Sequence, residues 1–293
     1  MNIKKASPHL MRKWVEYLAL DIGPRPYSEP DLLKTVAEDI AKEMHSMGYE
    51  VELQPVSYQG NEYFNVIAFS KKAGKEDSPL LVVGAHYDSV ETTPGADDNA
   101  SGVAGLLELA RILALTPPPN LRLVFFTLEE PPTFRTRNMG SYVYAKSLKK
   151  EKAQLMGMIC LEMIGYFSDR PKSQSFPVYF MERYYPDNGN FIAFVGNRKS
   201  REWTMDVKKA FMEGTDIPAE HINAPWIVIG VDFSDHWSFY QFGFPAVMVT
   251  DTAFYRNSHY HKFSDVPETL NFDKAAKVVD GLAHAVMVLS GGV

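Results

Sequence analysis

The feature that most constrains this chain is a series of short apolar runs that alternate with helical segments and end in metal-ligand-type side chains. The run Leu80-Leu81-Val82-Val83-Gly84-Ala85 ends in His86-Tyr87-Asp88-Ser89. Residues 121–128 run into Glu129-Glu130, and Met158-Ile159-Cys160-Leu161 runs into Glu162. A fourth run, Pro245-Ala246-Val247-Met248-Val249, precedes Tyr260-His261. Runs of four to eight apolar residues separated by helical spacing imply βαβ units and a mainly parallel sheet. In such a sheet, side chains just past the strands' carboxyl ends share one crevice.

The spacing predicts helices over residues 8–20, 30–47, 101–115, 138–150, 201–213 and 273–289. In the second, Leu32, Leu33, Val36, Ile40, Met44 and Met47 recur at helical intervals. Strands are expected at 50–56, 63–70, 80–85, 121–128, 156–162, 191–195 and 245–249, with a short extended piece at 227–229. Gly23-Pro24-Arg25-Pro26 must be loop, and Pro117-Pro118-Pro119 a stiff linker. Residues 71–78 form a charged turn, and 168–190 an irregular stretch rich in Ser, Pro, Tyr and Phe. No internal repeat or domain boundary interrupts the pattern. The 293 residues therefore read as one α/β domain spanning 1–293, with a mixed, mainly parallel sheet sandwiched by helices.

Bulk chemistry removes several function classes. A net charge of -6 argues against nucleic acid as partner, because phosphate binding calls for a basic face. Lys71-Lys72 and Lys149-Lys150 read as solvated faces. The single Cys160 excludes an internal disulfide and a cysteine zinc cluster, and within an apolar run it reads as a small buried hydrophobe. No apolar stretch reaches the roughly 20 residues of a membrane span. The first eight residues lack the apolar segment of a secretory signal, so the chain as written reads as cytoplasmic. A chain trimmed of its leader would read as secreted instead.

Each candidate site residue has a bland alternative. His86 and Asp88 stand two apart, on one face if the strand persists; Asp88 then suits the task of taking the imidazole's second ring proton. In Gly95-Ala96-Asp97-Asp98-Asn99-Ala100-Ser101-Gly102, helix capping needs one side chain, whereas adjacent acids repel unless a cation joins them. Glu129 and Glu130, on an extended chain, point in opposite directions, so one can bind metal while the other faces substrate. Glu162 sits amid apolar residues, where a charge is costly unless paired or metal-bound. Of His259 and His261, one faces the site if the segment bends away. Ser234-Asp235-His236 cannot form a triad, whose members converge from separate segments. Asp235 and His236 therefore remain substrate-pocket or supporting residues. There is no Gly-x-Ser-x-Gly elbow, His-Glu-x-x-His helix, P-loop or dinucleotide fingerprint.

Taken in order, His86-Tyr87-Asp88-Ser89, residues 94–102, Glu129-Glu130, Glu162-Met163-Ile164-Gly165, Tyr260-His261 and residues 265–270 resemble the M28 family of zinc aminopeptidases. The resemblance implies the zinc-exopeptidase fold and two zinc ions bridged by Asp98. One ion would also be held by His86 and Glu162, the other by Glu130 and His261. Cobalt or manganese would suit the same ligands. It further implies Glu129 as general base, Asp88 as the acid orienting the first histidine, Tyr260 as a group steadying the oxyanion, and a cis peptide after Asp98. Glu162 departs from the aspartate more common there, and its longer arm can shift the metal or alter its affinity. The substrates implied are peptides with a free N-terminus. Alternatives on the same scaffold are a one-zinc acyltransferase like glutaminyl cyclase, a carboxypeptidase or dipeptidase, and a binding module without catalysis. The complete ligand set favours the hydrolase. The preferred N-terminal residue is not legible, and the aromatics between Phe176 and Phe194 either line the cleft or form a packed surface insertion.

Overall fold

A computed structural model describes residues 4–71 and 78–291. The middle of the charged turn, residues 72–77, lies outside the described residues. The strands are Glu50–Tyr58 (β1), Asn61–Phe69 (β2), Leu80–His86 (β3), Leu121–Phe126 (β4), Leu155–Glu162 (β5), Ile192–Gly196 (β6), Ala219–Asn223 (β7) and Ala246–Thr250 (β8). They form one sheet in the order β1-β2-β4-β3-β5-β8-β6-β7. The central four, β4-β3-β5-β8, are mutually parallel, while β1, β2 and the β8–β6 pair add antiparallel neighbours. β1 and β2 are joined by Gln59 and Gly60, both at positive φ, the geometry that a two-residue hairpin requires.

The helices are Pro8–Glu16 (α1), Pro30–Ser46 (α2), Gly102–Leu113 (α3), Gly140–Lys150 (α4), Arg201–Gly214 (α5), His236–Gln241 (α6) and Phe272–Leu289 (α7). α1 loosens into a wider turn over Tyr17–Ile22 and is stopped by Gly23 at φ 83. Strand alternation sends the sheet's side chains into two cores. Leu81, Val83, Leu123, Ile159 and Val247 meet α1, α2, α3, α5 and α7 on one face. Val82, Val124, Met158 and Met248 meet Tyr144 of α4 and Phe239 of α6 on the other. Because the central strands are covered on both faces, they read as continuous apolar runs.

One expectation needs correction, and two elements carry no sequence signal. Residues 227–229 are turn and not extended. β7 was not anticipated: it is an edge strand whose five residues are all half-buried, so it carries no clean alternation. α6 is only six residues long, too short for a periodic signal.

The parallel strands deliver their carboxyl ends to one edge. His86 is paired with Phe126, and Gly84 with Cys160, which sets His86 level with Glu162 across the β3–β5 ladder. Gly84 keeps this centre close: a Cβ there would lie 2.4 Å from the Phe126 ring and 2.9 Å from the Val124 carbonyl oxygen. The core under α4 and α6 fixes both neighbours, so Gly84→Ala is expected to cost about 1–3 kcal/mol by overpacking. A chemical-denaturation midpoint equal to that of the wild type would contradict this packing.

Candidate active site

The turns after the central strands are shaped by unusual backbone. Leu128, immediately before Glu129, has φ 58; Met163, immediately after Glu162, has φ 49; His261 has φ 56. Side chains in this region are uncommon and persist only where surrounding bonds hold them. The Thr133 hydroxyl donates to the Leu128 carbonyl at 2.7 Å. The Met163 N–H donates to Asn99 Oδ1 at 3.0 Å, and the Met163 carbonyl accepts the Asp251 N–H at 2.7 Å. The peptide between Asp98 and Asn99 is cis.

These turns bring the five sequence-predicted ligands together. His86 Nε2 lies 3.4 Å from Asp98 Oδ1 and 3.2 Å from Glu162 Oε2. His261 Nε2 lies 3.1 Å from Asp98 Oδ2 and 3.4 Å from Glu130 Oε2. Two donor groups result, His86-Asp98-Glu162 and Asp98-Glu130-His261, each with its donor atoms within 4.8 Å of one another. Asp98 belongs to both and offers one oxygen to each. Glu129 approaches His86 Nε2 at 3.9 Å and lines the cleft with Glu130, Phe134, Phe233, Tyr260 and His261.

The residues fit divalent metal. His86 Nε2, His261 Nε2 and Glu130 Oε1 are buried without a hydrogen-bond partner, although buried polar atoms are almost always satisfied. The charge balance points the same way. Asp88, Asp97, Asp98, Glu129, Glu130, Glu162, Asp235, Asp251 and Asp265 are all buried, against the guanidiniums of Arg25 and Arg256 and the two imidazoles. Without a metal, protons must make up the deficit. Burial, reinforced by Asp98, pushes Glu130 up to about 7. Burial also drives Glu129 well above the carboxylate range, with Glu130 and Glu162 adding to it against His86. On Asp98 burial acts upward too, yet the imidazoles of His261 and His86 facing its two oxygens hold it well below its usual value. Burial opposes charge on His261, but Asp98 and Glu130 raise it to about 10. Imidazole and carboxylate donors suit zinc, with cobalt and manganese as substitutes.

Asp88 does more than the sequence suggested. Its carboxylate is 3.6 Å from His86 Nδ1, while its main-chain carbonyl is nearer at 3.2 Å. The carboxylate oxygens accept the N–H groups of Glu129 at 3.1 Å and Glu130 at 3.0 Å. It thus clamps the turn that carries both glutamates. Asp265 performs the matching task on the opposite side, accepting the N–H groups of Asp97 at 2.9 Å and Asp98 at 3.1 Å. Tyr260 stacks on His261 with ring centroids 3.8 Å apart. His259 turns away to Ser264, so His261 is the histidine that faces the site.

Ser234 donates to Glu162 Oε2 at 2.6 Å and lies 3.2 Å from Cys160 Sγ. Its neighbours Asp235 and His236 stand behind the cleft and line no part of it. His236 Nε2 is 2.8 Å from the Val231 carbonyl, and burial lowers its pKa to about 4, leaving a neutral donor there. Asp235, fully buried and pushed up to about 7 by that burial, sits within electrostatic reach of His86, Asp88 and Glu162.

In the sequence Arg25 is marked only as part of a proline-flanked loop. Its guanidinium is completely buried and donates to five carbonyls, those of Tyr87, Leu18, Gly23, Pro94 and Gly95, at 2.7–3.0 Å. It ties the N-terminal segment to both loops that supply His86 and Asp98. The only sequence signal was a charge between two prolines.

Peptidase family M28 matches residues 65–286. This chain belongs to that family, which makes it a hydrolase of the metallopeptidase class. Among relatives, YfbL of Escherichia coli (strain K12) is 44% identical over 288 residues, covering 95% of this chain and 87% of YfbL. The chain spans about half or less of the length of the curated aminopeptidases it matches. A zinc aminopeptidase from Bacillus subtilis superposes with a TM-score of 0.75 at 15% identity, over 98% of this chain and 96% of that one. The glutaminyl cyclase of Fimbriiglobus ruber superposes with 0.69 at 19% identity, over 98% and 97%. At these identities the likeness concerns the fold, which hosts both chemistries. Among the described residues, no helix is long and apolar enough to cross a membrane.

Two outcomes follow from the geometry. Arg25→Met leaves buried carbonyls unpaired and is expected to cost about 3 kcal/mol or more by denaturation, and Arg25→Lys should not rescue it, because an ammonium lacks the five-donor fork. Zinc must displace the proton of His261 throughout the neutral range, and that of Glu130 below about 7. Calorimetric zinc titrations should therefore show affinity falling from pH 8 to pH 6 as proton release grows. A pH-independent affinity would contradict the charge balance.

Proposed function

We propose that this chain removes single N-terminal residues from peptides bearing a free amino group, using two zinc ions and acting as one peptidase domain over its whole length. The observation that carries this reading is the pair of donor groups joined by Asp98, with Glu129 beside them and a cleft opening over both. His86 and Glu162 would hold one ion, Glu130 and His261 the other, and Asp98 would bridge them. Zinc held there would acidify a water molecule and draw charge from a carbonyl oxygen.

The chain's own groups supply the remaining chemistry. Glu129, its proton affinity raised by burial and by its acidic neighbours, takes a proton from the attacking water at its carboxylate. The same carboxyl then returns that proton to the leaving amine. Tyr260 lines the cleft, and burial together with Asp98 and Glu130 keeps its hydroxyl protonated far into the alkaline range. It therefore donates a hydrogen bond to the oxygen on which negative charge develops. Asp88 holds Glu129 and Glu130 in register through their N–H groups. The acidic surroundings favour a substrate that brings its own cation, which supports recognition of a free α-ammonium group.

The second donor group is what favours this reading over a one-zinc acyltransferase. Peptides with free and with acetylated N-termini, supplied to zinc-loaded protein, should separate cleanly. Release of one residue at a time from free-amine peptides alone is the expected result, and Glu129→Gln should retain both zinc ions by elemental analysis while losing at least about 10³-fold in kcat. Cyclisation of N-terminal glutamine without peptide hydrolysis would sink the aminopeptidase reading, as would wild-type turnover by Glu129→Gln.

A further inference from the structure

Beside the metal-ligand cleft lies a cavity of about 820 Å³, open mouth included. It shares Glu162, Phe233, Phe254 and Tyr260 with the cleft, so the two are continuous. Its floor is the sheet. Glu162 of β5 is paired with Thr250 of β8, Thr250 with Ala193 of β6, and Ala193 with Glu220 of β7. Paired residues share a face, so the side chains of these four stand in a row across the sheet's edge. One step deeper, Met248, Val195 and Ile222 form a parallel row that lines the same cavity. Small Thr250 and Ala193 leave a trough, with a carboxylate at each end. Three inter-strand spacings separate Glu162 from Glu220, roughly 14 Å between their Cα atoms.

The trough's walls are apolar: Phe176, Met181, Val231 and Phe254 line them. Glu220 makes no hydrogen bond or ion pair among the described residues, and no described lysine or arginine lines the cavity. Lys208 contacts not Glu220 but the neighbouring His221, whose Nδ1 lies 3.3 Å from its ammonium. Tyr185 closes the far wall, its hydroxyl donating to the His221 carbonyl at 2.9 Å, beside Glu220. Half-buried at the end of this apolar channel and with no protein cation against it, the Glu220 carboxylate is open to a ligand that supplies one.

We propose that this trough receives the side chain of the substrate's N-terminal residue, and that Glu220 selects long cationic side chains, those of arginine and lysine. The inference rests on the aminopeptidase reading and names its substrate class. With the scissile carbonyl beside Glu162 and the α-ammonium group among the carboxylates, the side chain enters over Thr250 and Ala193. The methylene stem lies along the apolar walls, and the terminal charge meets Glu220. A leucine side chain stops short and leaves Glu220 unanswered. Arginine's planar donors suit a carboxylate best.

The test uses zinc-loaded protein and a matched set of aminoacyl-coumarin substrates: arginine, lysine, norleucine, leucine and phenylalanine. Norleucine reproduces the lysine stem without its charge. The expected result is a kcat/KM for arginine and lysine at least tenfold above norleucine, with the ratio collapsing about tenfold in Glu220→Gln, mainly through KM, and recovering in part in Glu220→Asp. Calorimetric binding of argininamide and norleucinamide to wild type and to Glu220→Gln gives a readout independent of turnover. Preference for leucine, norleucine or phenylalanine, or a ratio unmoved by Glu220→Gln, overturns the inference and leaves the hydrolase standing. Glu220-dependent binding of argininamide without turnover of any substrate upholds the trough and removes the hydrolase. Neither turnover nor selective binding overturns both.

Discussion

Buried negative charge at one edge of the sheet organises this protein. Nine carboxylates are withdrawn from water there, and the cations that accompany them are two guanidiniums and two imidazoles. Isolated, each such carboxylate would cost several kcal/mol or simply take up a proton. Three kinds of partner offset that cost. The imidazoles of His86 and His261 lie against Asp98 from either side. Main-chain N–H groups are handed in pairs to Asp88 and Asp265. The remaining deficit, concentrated where His86 Nε2, His261 Nε2 and Glu130 Oε1 lack partners, is what a pair of divalent cations would fill.

The arrangement divides labour between carboxylates that could meet a metal and carboxylates that hold backbone. Asp88 accepts from the Glu129 and Glu130 turn, Asp97 from Gly165, Asp251 from Tyr166 and Ala253. Each bond pins a loop at the point where it leaves a strand. Left-handed backbone at Leu128, Met163 and His261 is sustained by this lattice, and it turns the neighbouring glutamates and the imidazole inward. Arg25 extends the same logic to main-chain carbonyls, joining a segment near the N-terminus to the loops around residues 87 and 95. A metalloenzyme depends on such supporting bonds for the orientation of its ligands.

The side of the cleft away from His261 is built differently. There the sheet supplies a floor of small residues and the segment around residues 174–185 supplies an apolar wall. Phe176 and Tyr185 line that cavity, whereas Tyr179, Phe180 and Tyr184 are exposed, so the aromatic-rich stretch is partly wall and partly surface. The donor groups and the apolar cavity thus occupy separate parts of the molecule: strand ends hold the donor groups, and the β6–β7 edge shapes the cavity beside them.

Much of this was legible without coordinates because hydrophobic patterning is local. Buried parallel strands must be apolar runs, and residues immediately beyond them must share an edge, so His86, Glu129, Glu130 and Glu162 announce themselves by position. What the chain alone could not reveal depends on contacts between distant segments. That Asp98 faces both histidines, that Asp88 grips the glutamate turn, and that Arg25 binds loops some seventy residues away follow only from tertiary packing. β7 and α6 are not legible in the sequence because a half-buried edge strand and a six-residue helix leave almost no periodic trace. Glu220 belongs to the same class. In sequence it is one more surface-type acid, and only the pairing of β5, β8, β6 and β7 sets it in line with Glu162. Composition and periodicity determined the layers and which residues could do chemistry; the register between strands decided which of them meet, because register is fixed by packing across the sheet and not by any single segment.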